Sequence, residues 1–253
     1  NKTLLKEAVE ANIEFSVYNL ETLRTVGEVS TEANCIARIH IKVDTGMGRF
    51  GVLEPEASKF LDTAYRTPAI AIEGLFSHLA AADEPSDFTE QQEAKFKQLS
   101  AQLNTRDITV PIQHLYNSAG TLRGHLLGNA CRIGIVLYGL YPSHYSEQLI
   151  KKRYPKFSLK PALTWKTHVL QVKQVPKGSA VSYGCTYYTQ SQETHAVLPI
   201  GYSDGYVRGL SNNIDVLIHG NRCPIVGRIC MNQVVVNVSG IPITSVGDEV
   251  VLL

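Results

Sequence analysis

The chain has 253 residues, 44% of them hydrophobic and 19% charged, so it can form one large domain or two ordinary ones with a sizeable core. Its formal net charge is +1, and no run of five like charges occurs, which argues against nucleic acid or an anionic membrane surface as a partner. Five scattered cysteines, with no C-x-x-C pair and no metal spacing with histidine, favour reduced thiols in an intracellular protein and predict no metal site.

Helical and strand patterns alternate from residue 1 to about residue 142. A capping box at Thr89 and Gln92 predicts the start of one helix. Alternation of this kind indicates parallel strands with right-handed crossovers, as in a barrel or an open doubly wound sheet. Other predicted helices cover residues 4–11, 20–29 and 55–65, and predicted strands cover residues 13–19, 37–41, 72–78, 113–118 and 130–138.

Polar side chains stand at or near the carboxyl ends of most of these strands. They are Asn19, Lys42, His78 and Asn117, with Arg132 inside the last strand. A dinucleotide-binding fold requires a G-x-G-x-x-G loop after its first strand, and this sequence has none there. The convergence is typical of the catalytic face of a (β/α)8 barrel, so we predict an α/β fold of the TIM type.

The composition changes after residue 142. Residues 143–160 are mostly polar and flanked by prolines, which predicts a linker. Residues 219–222 (HGNR) predict a hairpin turn, and the second half is expected to be a compact all-β domain. Its predicted strands cover residues 164–175, 180–183, 195–202, 214–218, 223–229, 233–238 and 249–253.

The two ends of the chain suggest a fragment. The sequence opens in a helical pattern and stops in an apolar strand, residues 250–253, whereas native termini seldom lie in core elements. No apolar run is long enough to span a bilayer, and there is no signal peptide. We therefore expect both ends of the parent protein to be missing.

Residues 42–51 (KVDTGMGRFG) place a lysine, an aspartate and an arginine together at a strand end among three glycines. This signature resembles the alanine racemase family, and further matches occur in order along nearly the whole chain. They are residues 77–83 (SHLAAAD), 132–140 (RIGIVLYGL), 181–184 (VSYG), 199–206 (PIGYSDGY) and 226–233 (VGRICMNQ).

The resemblance implies a homodimeric enzyme that uses pyridoxal 5′-phosphate to interconvert L- and D-alanine. Such an enzyme supplies D-alanine for peptidoglycan. Residues 1–153 would form a partial TIM-type (β/α)8 barrel, and residues 154–253 a C-terminal β domain. Racemisation requires an electron sink for Cα and one base on each face. In the family one base is the lysine that holds the cofactor and the other is a tyrosine from the second subunit, which Tyr183 resembles.

The resemblance also assigns the other site residues. His78 and Arg132 match the cationic pair that stabilises the tyrosine's phenolate, because an unperturbed phenol, with a pKa of about 10, is a poor base. Arg132 also matches the residue that faces the cofactor's ring nitrogen. The remaining matches are Asn117, Ser118, Gly134, Ile135 and Tyr202 at the cofactor, and Arg49, Met231 and Lys42 at the amino-acid substrate, with Lys42 as the lysine that is often carbamylated.

Two departures from the family pattern keep alternatives open. The K-A-x-A-Y-G-type motif of the cofactor lysine does not occur, so the fragment alone is expected to be inactive. Asn232 stands where aspartate is commoner, which leaves a serine or broad-specificity racemase open. That alternative is membrane-tethered if the missing N-terminus carries transmembrane helices; otherwise we expect a cytoplasmic enzyme. A non-catalytic pyridoxal-phosphate-binding protein is a third reading, against which the β domain and Tyr183 argue.

Overall fold

The computed structural model describes residues 1–104, 109–124, 126–241 and 243–252. The chain divides into two compact units, Asn1–Pro161 and Ala162–Leu253, each with its own hydrophobic core. The first unit contains α1 (Lys2–Glu10), β1 (Phe15–Val17), α2 (Leu20–Glu32), β2 (Ala37–Asp44), β3 (Val52–Leu53), α3 (Glu54–Arg66), β4 (Ile70–Phe76), α4 (Phe88–Asn104), β5 (Ile112–His114), α5 (Ser118–Arg123) and α6 (His144–Arg153).

The strands of the first unit form a parallel sheet. Its order is β1-β2-β4-β5, and β3 pairs with β2. Every pair in this sheet is parallel; α2, α3 and α4 connect β1 to β2, β3 to β4 and β4 to β5, and a loop connects β2 to β3. The predicted α/β fold is therefore confirmed, with the strand order expected of an arc of a (β/α)8 barrel.

The two faces of β2 have different chemistry. The odd-numbered Ile39, Ile41 and Val43 are fully buried in the core, which also contains Leu61 of α3. The even-numbered positions 38–44 are occupied by arginine, histidine, lysine and aspartate. Because side chains alternate along a strand, this period directs every polar group of β2 to one face of the sheet.

The predicted strand over residues 130–138 is wrong. The structure has a single bridge between His114 and Ala130 there, and a 3-10 helix over Ile135–Tyr138. Gly134, with φ −114° and ψ −98°, and Gly139, with φ 78°, flank this helix in conformations that do not continue a strand. The apolar run thus forms one short helical turn.

The predicted linker over residues 143–160 also differs, because α6 occupies ten of these residues. Ser143 caps the helix by accepting a hydrogen bond from the Ser146 N–H at 3.1 Å. Glu147 and Lys151 pair across one turn, and Ile150 is buried. These are ordinary helix signals.

The predicted capping box is wrong as well. α4 begins at Phe88, and the buried Thr89 hydroxyl has no hydrogen-bond partner among the described residues. The Gln92 amide instead donates to the His78 carbonyl at 3.0 Å and to the Thr45 hydroxyl at 3.2 Å, and it accepts the Ala80 N–H at 2.8 Å. Gln92 therefore ties together the segments that follow β2 and β4.

The second unit contains only short strands and 3-10 turns among its described residues, which confirms the predicted all-β domain. Its sheets have the orders β13-β10-β7, β12-β11-β14-β6 and β8-β9. The strands are β6 (Lys166–His168), β7 (Gln171–Val175), β8 (Ala180–Val181), β9 (Tyr187–Tyr188), β10 (Glu193–Leu198), β11 (Asp215–Ile218), β12 (Asn221–Pro224), β13 (Val234–Asn237) and β14 (Glu249–Val251).

The predicted hairpin turn joins β11 to β12. Ile218 pairs with Asn221, and the two residues between them, His219 and Gly220, have φ values of 50° and 76°. Positive φ at both positions is the geometry of a tight two-residue hairpin. Leu253, the end of the last predicted strand, lies outside the described residues. In the described part of the chain, no helix is long and apolar enough to cross a membrane.

Candidate functional site

The predicted site residues fall into two groups, one in each unit. The first group follows the carboxyl ends of parallel strands, where polar side chains converge in barrel folds. It consists of Lys42, Arg49, His78, Asn117, Ser118, Arg132, Gly134 and Ile135, and the second consists of Tyr183, Tyr202 and Met231.

Lys42 occupies the polar face of β2 and is only 9% exposed. Its Nζ lies 5.7 Å from the centre of the Phe50 ring and 5.5 Å from that of the Phe76 ring. Burial and the neighbouring cations Arg49 and Arg132 lower the pKa of this lysine, with Asp44 opposing them. Lys42 is therefore a lysine with raised neutral-amine character, held between two aromatic rings.

The loop after β2 is built around Asp44. Its carboxylate accepts the Gly46 N–H at 2.8 Å and the Arg49 N–H at 3.2 Å. Burial alone would raise the pKa of Asp44, but the backbone N–H donors hold it below its ordinary value. The ionised carboxylate thus fixes the loop, and the side chain of Arg49 is left exposed.

Arg132 lies at the centre of the first group. Its Nη1 donates to His114 Nδ1 at 2.5 Å and to the His114 carbonyl at 3.0 Å. Its Nη2 donates to the Ser77 carbonyl at 2.5 Å and the Leu115 carbonyl at 3.3 Å, and the guanidinium lies 5.0 Å over the Phe76 ring. All these partners are neutral, so the guanidinium keeps its positive charge uncompensated by them.

His78 follows β4 and lies beside Arg132, with its Nδ1 3.3 Å from Nη2. Burial and the cations Arg132, Arg49 and Lys42 lower the pKa of His78 to about 4. The imidazole is therefore neutral at pH 7, which corrects the expectation of a cationic pair. The positive charge at this point comes from Arg132, and His78 can act only through hydrogen bonding.

A polar relay of four residues, Arg132, His114, His40 and Glu14, extends from this site. His114 Nε2 lies 2.9 Å from His40 Nδ1, and His40 Nε2 lies 2.8 Å from Glu14 Oε2. Because arginine can only donate, His114 accepts at Nδ1 and therefore carries its proton on Nε2. His114 Nε2–H then donates to His40 Nδ1, and His40 Nε2–H donates to the Glu14 carboxylate. Glu14 also pairs with Arg38 at 2.5 Å. The relay therefore orients Arg132 through fixed tautomers of two histidines.

Gly74 makes room for this relay. A Cβ at Gly74 would lie 2.0 Å from His40 Nδ1 and 2.5 Å from its Cε1. Gly74 is also the residue that pairs with His40 across the sheet. Only a glycine allows the imidazole to lie this close to β4.

Changing the pH should reveal the buried histidines. Burial, Arg132 and His40 lower the pKa of His114 from 6.5 to about 4. The unfolded chain then binds protons between these two values that the folded chain does not. We expect the free energy of unfolding to be highest above pH 6.5 and to fall toward pH 4, by roughly 2–3 kcal/mol from His114. Urea unfolding of the protein at a series of pH values measures this slope.

Two variants test the origin of that slope. His114→Gln retains an acceptor for Arg132 but does not titrate, so we expect a shallower dependence between pH 6.5 and pH 4, with the contribution of His78 remaining. His144→Gln changes an exposed histidine and is the matched control, which should keep the wild-type slope. An unchanged slope in His114→Gln would contradict the assignment.

Asn117 and Ser118 form the start of α5. The Asn117 amide caps the helix by accepting the Gly120 N–H at 3.0 Å, and it donates to the Leu79 carbonyl at 3.1 Å. The Ser118 hydroxyl accepts the Gly134 N–H at 2.8 Å. Both ends of the Asn117 amide thus hold protein groups, and Ser118 joins α5 to the turn that begins with Ile135.

Tyr183 is at the tip of the β8–β9 hairpin and is 67% exposed. Beside it, the Ser182 hydroxyl donates to the Arg228 carbonyl at 2.5 Å and lies 3.4 Å from Cys230 Sγ. Tyr183 and Cys230 also line an open groove on the surface of the second unit, together with Gln233. The hairpin therefore places the Tyr183 phenol at the edge of this groove, where a bound molecule can contact it.

Tyr202 and Met231 are neighbours in the same unit. The Tyr202 N–H donates to the Cys230 carbonyl at 3.1 Å, and the Met231 carbonyl accepts the Ser203 N–H at 2.9 Å and its hydroxyl at 2.7 Å. Both side chains are exposed. The structure thus brings these two predicted site residues together in one loop cluster.

His114, His40 and Glu14 are parts of the site that the sequence motifs did not identify. A signal exists for His40, since it lies two residues before Lys42 and so on the same face of β2. For His114 the signal is its place at the end of β5, in line with the other strand-end residues. No local pattern marks Glu14, whose contact with His40 spans 26 residues of sequence.

Comparisons with known proteins match this arrangement. The family model described as "Alanine racemase, N-terminal domain" matches residues 1–142, and "Alanine racemase, C-terminal domain" matches residues 162–253. The chain is 45% identical to an alanine racemase of Halothermothrix orenii over 92% of this chain and 60% of that protein. It is 41% identical to one of Methanococcus maripaludis over 96% of this chain and 64% of that protein.

Solved structures give the same result. An alanine racemase of Clostridium difficile 630 superimposes with a TM-score of 0.89 at 36% identity, covering 100% of this chain and 65% of that chain. One from Bacillus anthracis with bound L-Ala-P has a TM-score of 0.82 at 34% identity, covering 98% of this chain and 62% of that chain. The chain thus spans about three fifths of the length of the relatives it matches. On sequence, fold and the order of its motifs, this chain belongs to the alanine racemase family.

Proposed function

We propose that the protein carrying these residues interconverts L- and D-alanine with bound pyridoxal 5′-phosphate. The observation that carries the proposal is Arg132, a guanidinium at the strand ends whose hydrogen bonds go to carbonyl oxygens and imidazoles. The relatives, 45% and 41% identical, are alanine racemases, which supports alanine as the substrate.

The residues present fit such a cofactor. Its phosphate and phenolic oxygens are anionic, and the strand ends carry the cations Arg49 and Arg132. A Cβ at Gly134 would have only the Ser118 hydroxyl, at 3.8 Å, within 4 Å, so the space beside this backbone is open. An open cradle next to a hydroxyl and backbone N–H groups suits a phosphate.

Each residue of the cradle then has a role. Bound pyridoxal phosphate supplies an electron sink that makes the proton on Cα acidic. Ser118, Gly134 and Ile135 would hold the phosphate, and Asn117 fixes Ser118 through its cap. Tyr202 is assigned to the cofactor on the family resemblance. Arg132 would face the ring nitrogen and, because a guanidinium can only donate, would leave this nitrogen unprotonated. The weaker sink limits side reactions at Cα.

The substrate carboxylate is assigned to Arg49, whose planar fork suits a carboxylate. Lys42 would repel that arginine as an ammonium, and burial together with the neighbouring arginines lowers its pKa. The neutral amine adds CO2, forms an N–C bond and releases one proton, which leaves an anionic carbamate that can pair with Arg49. Carbamylated Lys42 thus orients the residue that binds substrate.

Tyr183 is assigned to proton transfer on one face of Cα, with Arg132 as the cation near its phenolate and neutral His78 as a hydrogen-bond partner. The opposite face requires an amine base, the lysine that binds the cofactor, and these 253 residues contain no motif that matches it. The racemase is therefore proposed for the whole protein.

A homodimer with shared active sites completes the proposal. Tyr183 and Met231 are both more than half exposed, which suits side chains that reach a neighbouring protomer. Residues 1–153 would hold the cofactor, and residues 154–253 would supply these two residues to the partner's site. A cytoplasmic enzyme of this kind would provide D-alanine for peptidoglycan.

The test is turnover by the full-length protein loaded with pyridoxal phosphate. We expect L-alanine to be racemised with a kcat/KM at least about tenfold above that for L-serine, since the chirality-bearing centre is the same and only the pocket distinguishes the side chains. Chiral chromatography of the products measures both rates. Equal rates would favour the broad-specificity alternative, to which exposed Asn232 points, and cofactor binding without turnover would leave only a binding protein.

A further inference from the structure

The hairpin that carries Tyr183 is too short to hold itself in place. β8 and β9 have two residues each, and their pairs are Ala180 with Tyr188 and Val181 with Tyr187. An isolated two-stranded hairpin is marginally stable at best in water. Since Tyr183 itself is largely exposed, contacts elsewhere in the hairpin must determine where its phenol lies.

The turn of the hairpin is also strained. Ser182 has φ 63° and Cys185 has φ 49°, values that L-residues other than asparagine and aspartate rarely adopt. Backbone of this kind persists only where the surroundings hold it. At the tip, Ser182 is bonded to the Arg228 carbonyl, and Asn212 Nδ2 donates to the Thr186 hydroxyl at 3.1 Å.

The base of the hairpin is held by a buried carboxylate. Glu193, the first residue of β10, is 5% exposed and accepts four hydrogen bonds. Two come from the hairpin and the segment just after it: the Tyr187 hydroxyl at 3.0 Å and the Gln190 N–H at 3.0 Å. Two come from the central sheet: Asn237 Nδ2 at 2.9 Å and His195 Nε2 at 2.8 Å.

Both oxygens of this carboxylate are therefore used, and they join two structures. β10 is the middle strand of the β13-β10-β7 sheet, the most constrained position in it. Burial alone would raise the pKa of Glu193, but the bonds from His195, Gln190 and Tyr187 hold it below its ordinary value. Burial and the carboxylate together raise the pKa of the Tyr187 phenol, which thus remains an O–H donor.

We infer that Glu193 is a positioning residue for Tyr183: it fixes the β8–β9 hairpin to the central sheet through Tyr187 and Gln190. The inference rests on the proposed role of Tyr183 in proton transfer. Glu193 itself touches neither the tip of the hairpin nor the reacting atoms. Its effect on the reaction is to hold the Tyr183 phenol in one position and orientation relative to the central sheet.

Two variants remove the anchor in different ways. Glu193→Gln keeps the shape of the side chain, but its single carbonyl oxygen cannot accept all four donors that the carboxylate binds, so the anchor loses at least one of its four partners. Tyr187→Phe removes one hydroxyl only and leaves the carboxylate with three donors, so it folds even if Glu193→Gln does not. Tyr188→Phe removes the hydroxyl of the next residue, which is 52% exposed, and is the matched control.

Hydrogen exchange gives a readout that is independent of turnover. In the full-length holoenzyme, both anchor variants should speed amide exchange of residues 179–189 at least about tenfold, with β11 and β12 unchanged. Tyr188→Phe should exchange like the wild type. Equal exchange in Tyr187→Phe, Tyr188→Phe and wild type would overturn the inference.

Kinetics then connect the hairpin to the reaction. A misplaced base should lower kcat by roughly 10- to 100-fold with KM and cofactor absorbance little changed. The rate at which the Cα hydrogen exchanges with deuterium from solvent should fall more for one enantiomer of alanine than for the other. Faster amide exchange in residues 179–189 with an unaltered kcat would overturn only the positioning role of Glu193. A wild-type holoenzyme without racemase activity would overturn the proposed function as well.

Discussion

Tyr183→Phe in the full-length protein is expected to lower kcat for racemisation by roughly 10²- to 10⁴-fold, the usual contribution of a positioned acid or base. The phenylalanine keeps the ring and removes only the group that exchanges the proton. Because Tyr183 is exposed at the tip of its hairpin, the change should leave the stability and cofactor absorbance of the protein unaltered. Turnover, thermal unfolding and absorbance spectra measure the three quantities.

The decisive measurement is isotope exchange with solvent from each enantiomer separately. A one-sided base predicts that washout of the Cα hydrogen collapses from one enantiomer and persists from the other. The control Tyr188→Phe should behave as wild type in both directions. Equal losses from L- and D-alanine would show that Tyr183 does not act on a single face.

Arg132→Glu is expected to lower kcat by roughly 10²- to 10³-fold and to raise the formation of pyruvate from alanine. The guanidinium cannot accept a proton, whereas a carboxylate would hold one at the ring nitrogen and deepen the electron sink. Deprotonated alanine would then persist longer, so that its amino group could pass to the cofactor and pyruvate would be released. Pyruvate is measured in a coupled dehydrogenase assay with the full-length protein.

Arg132→Lys separates this effect from damage to the fold. A lysine remains a cation and a donor, but it cannot reach His114 Nδ1 and the Ser77 carbonyl with a rigid fork. We expect a loss of kcat without added pyruvate. If Arg132→Glu produced pyruvate at the wild-type rate, Arg132 would not face the ring nitrogen.

Much of the fold followed from local pattern. The alternation of apolar and polar residues along β2 predicts a strand with one polar face, and the structure places Ile39, Ile41 and Val43 in the core. The strand-helix alternation before residue 142 and the turn at residues 219–222 were likewise readable, because each depends on neighbours in sequence. The roles that the family motifs assign to the site residues stay predictions.

The failures concern contacts between distant residues. The run at residues 130–138 has the composition of a strand, yet Gly134 and Gly139 turn it into a helical turn beside α5. A capping box and a loop clamp require the same residue types, so Gln92 could not be assigned without the position of His78. Glu193 carries no motif at all, since its four donors come from three separate segments.

Gln92 has a mechanical consequence for any ligand at the strand ends. One side-chain amide on α4 is bonded to Thr45, ahead of the arginine loop, and to the backbone on both sides of Leu79. The planar amide of Gln92 therefore links the segment that begins at Thr45 to the segment of His78 and Ala80. We therefore expect a substitution of Gln92 to disturb the Arg49 loop and the His78 segment together, because one amide holds both.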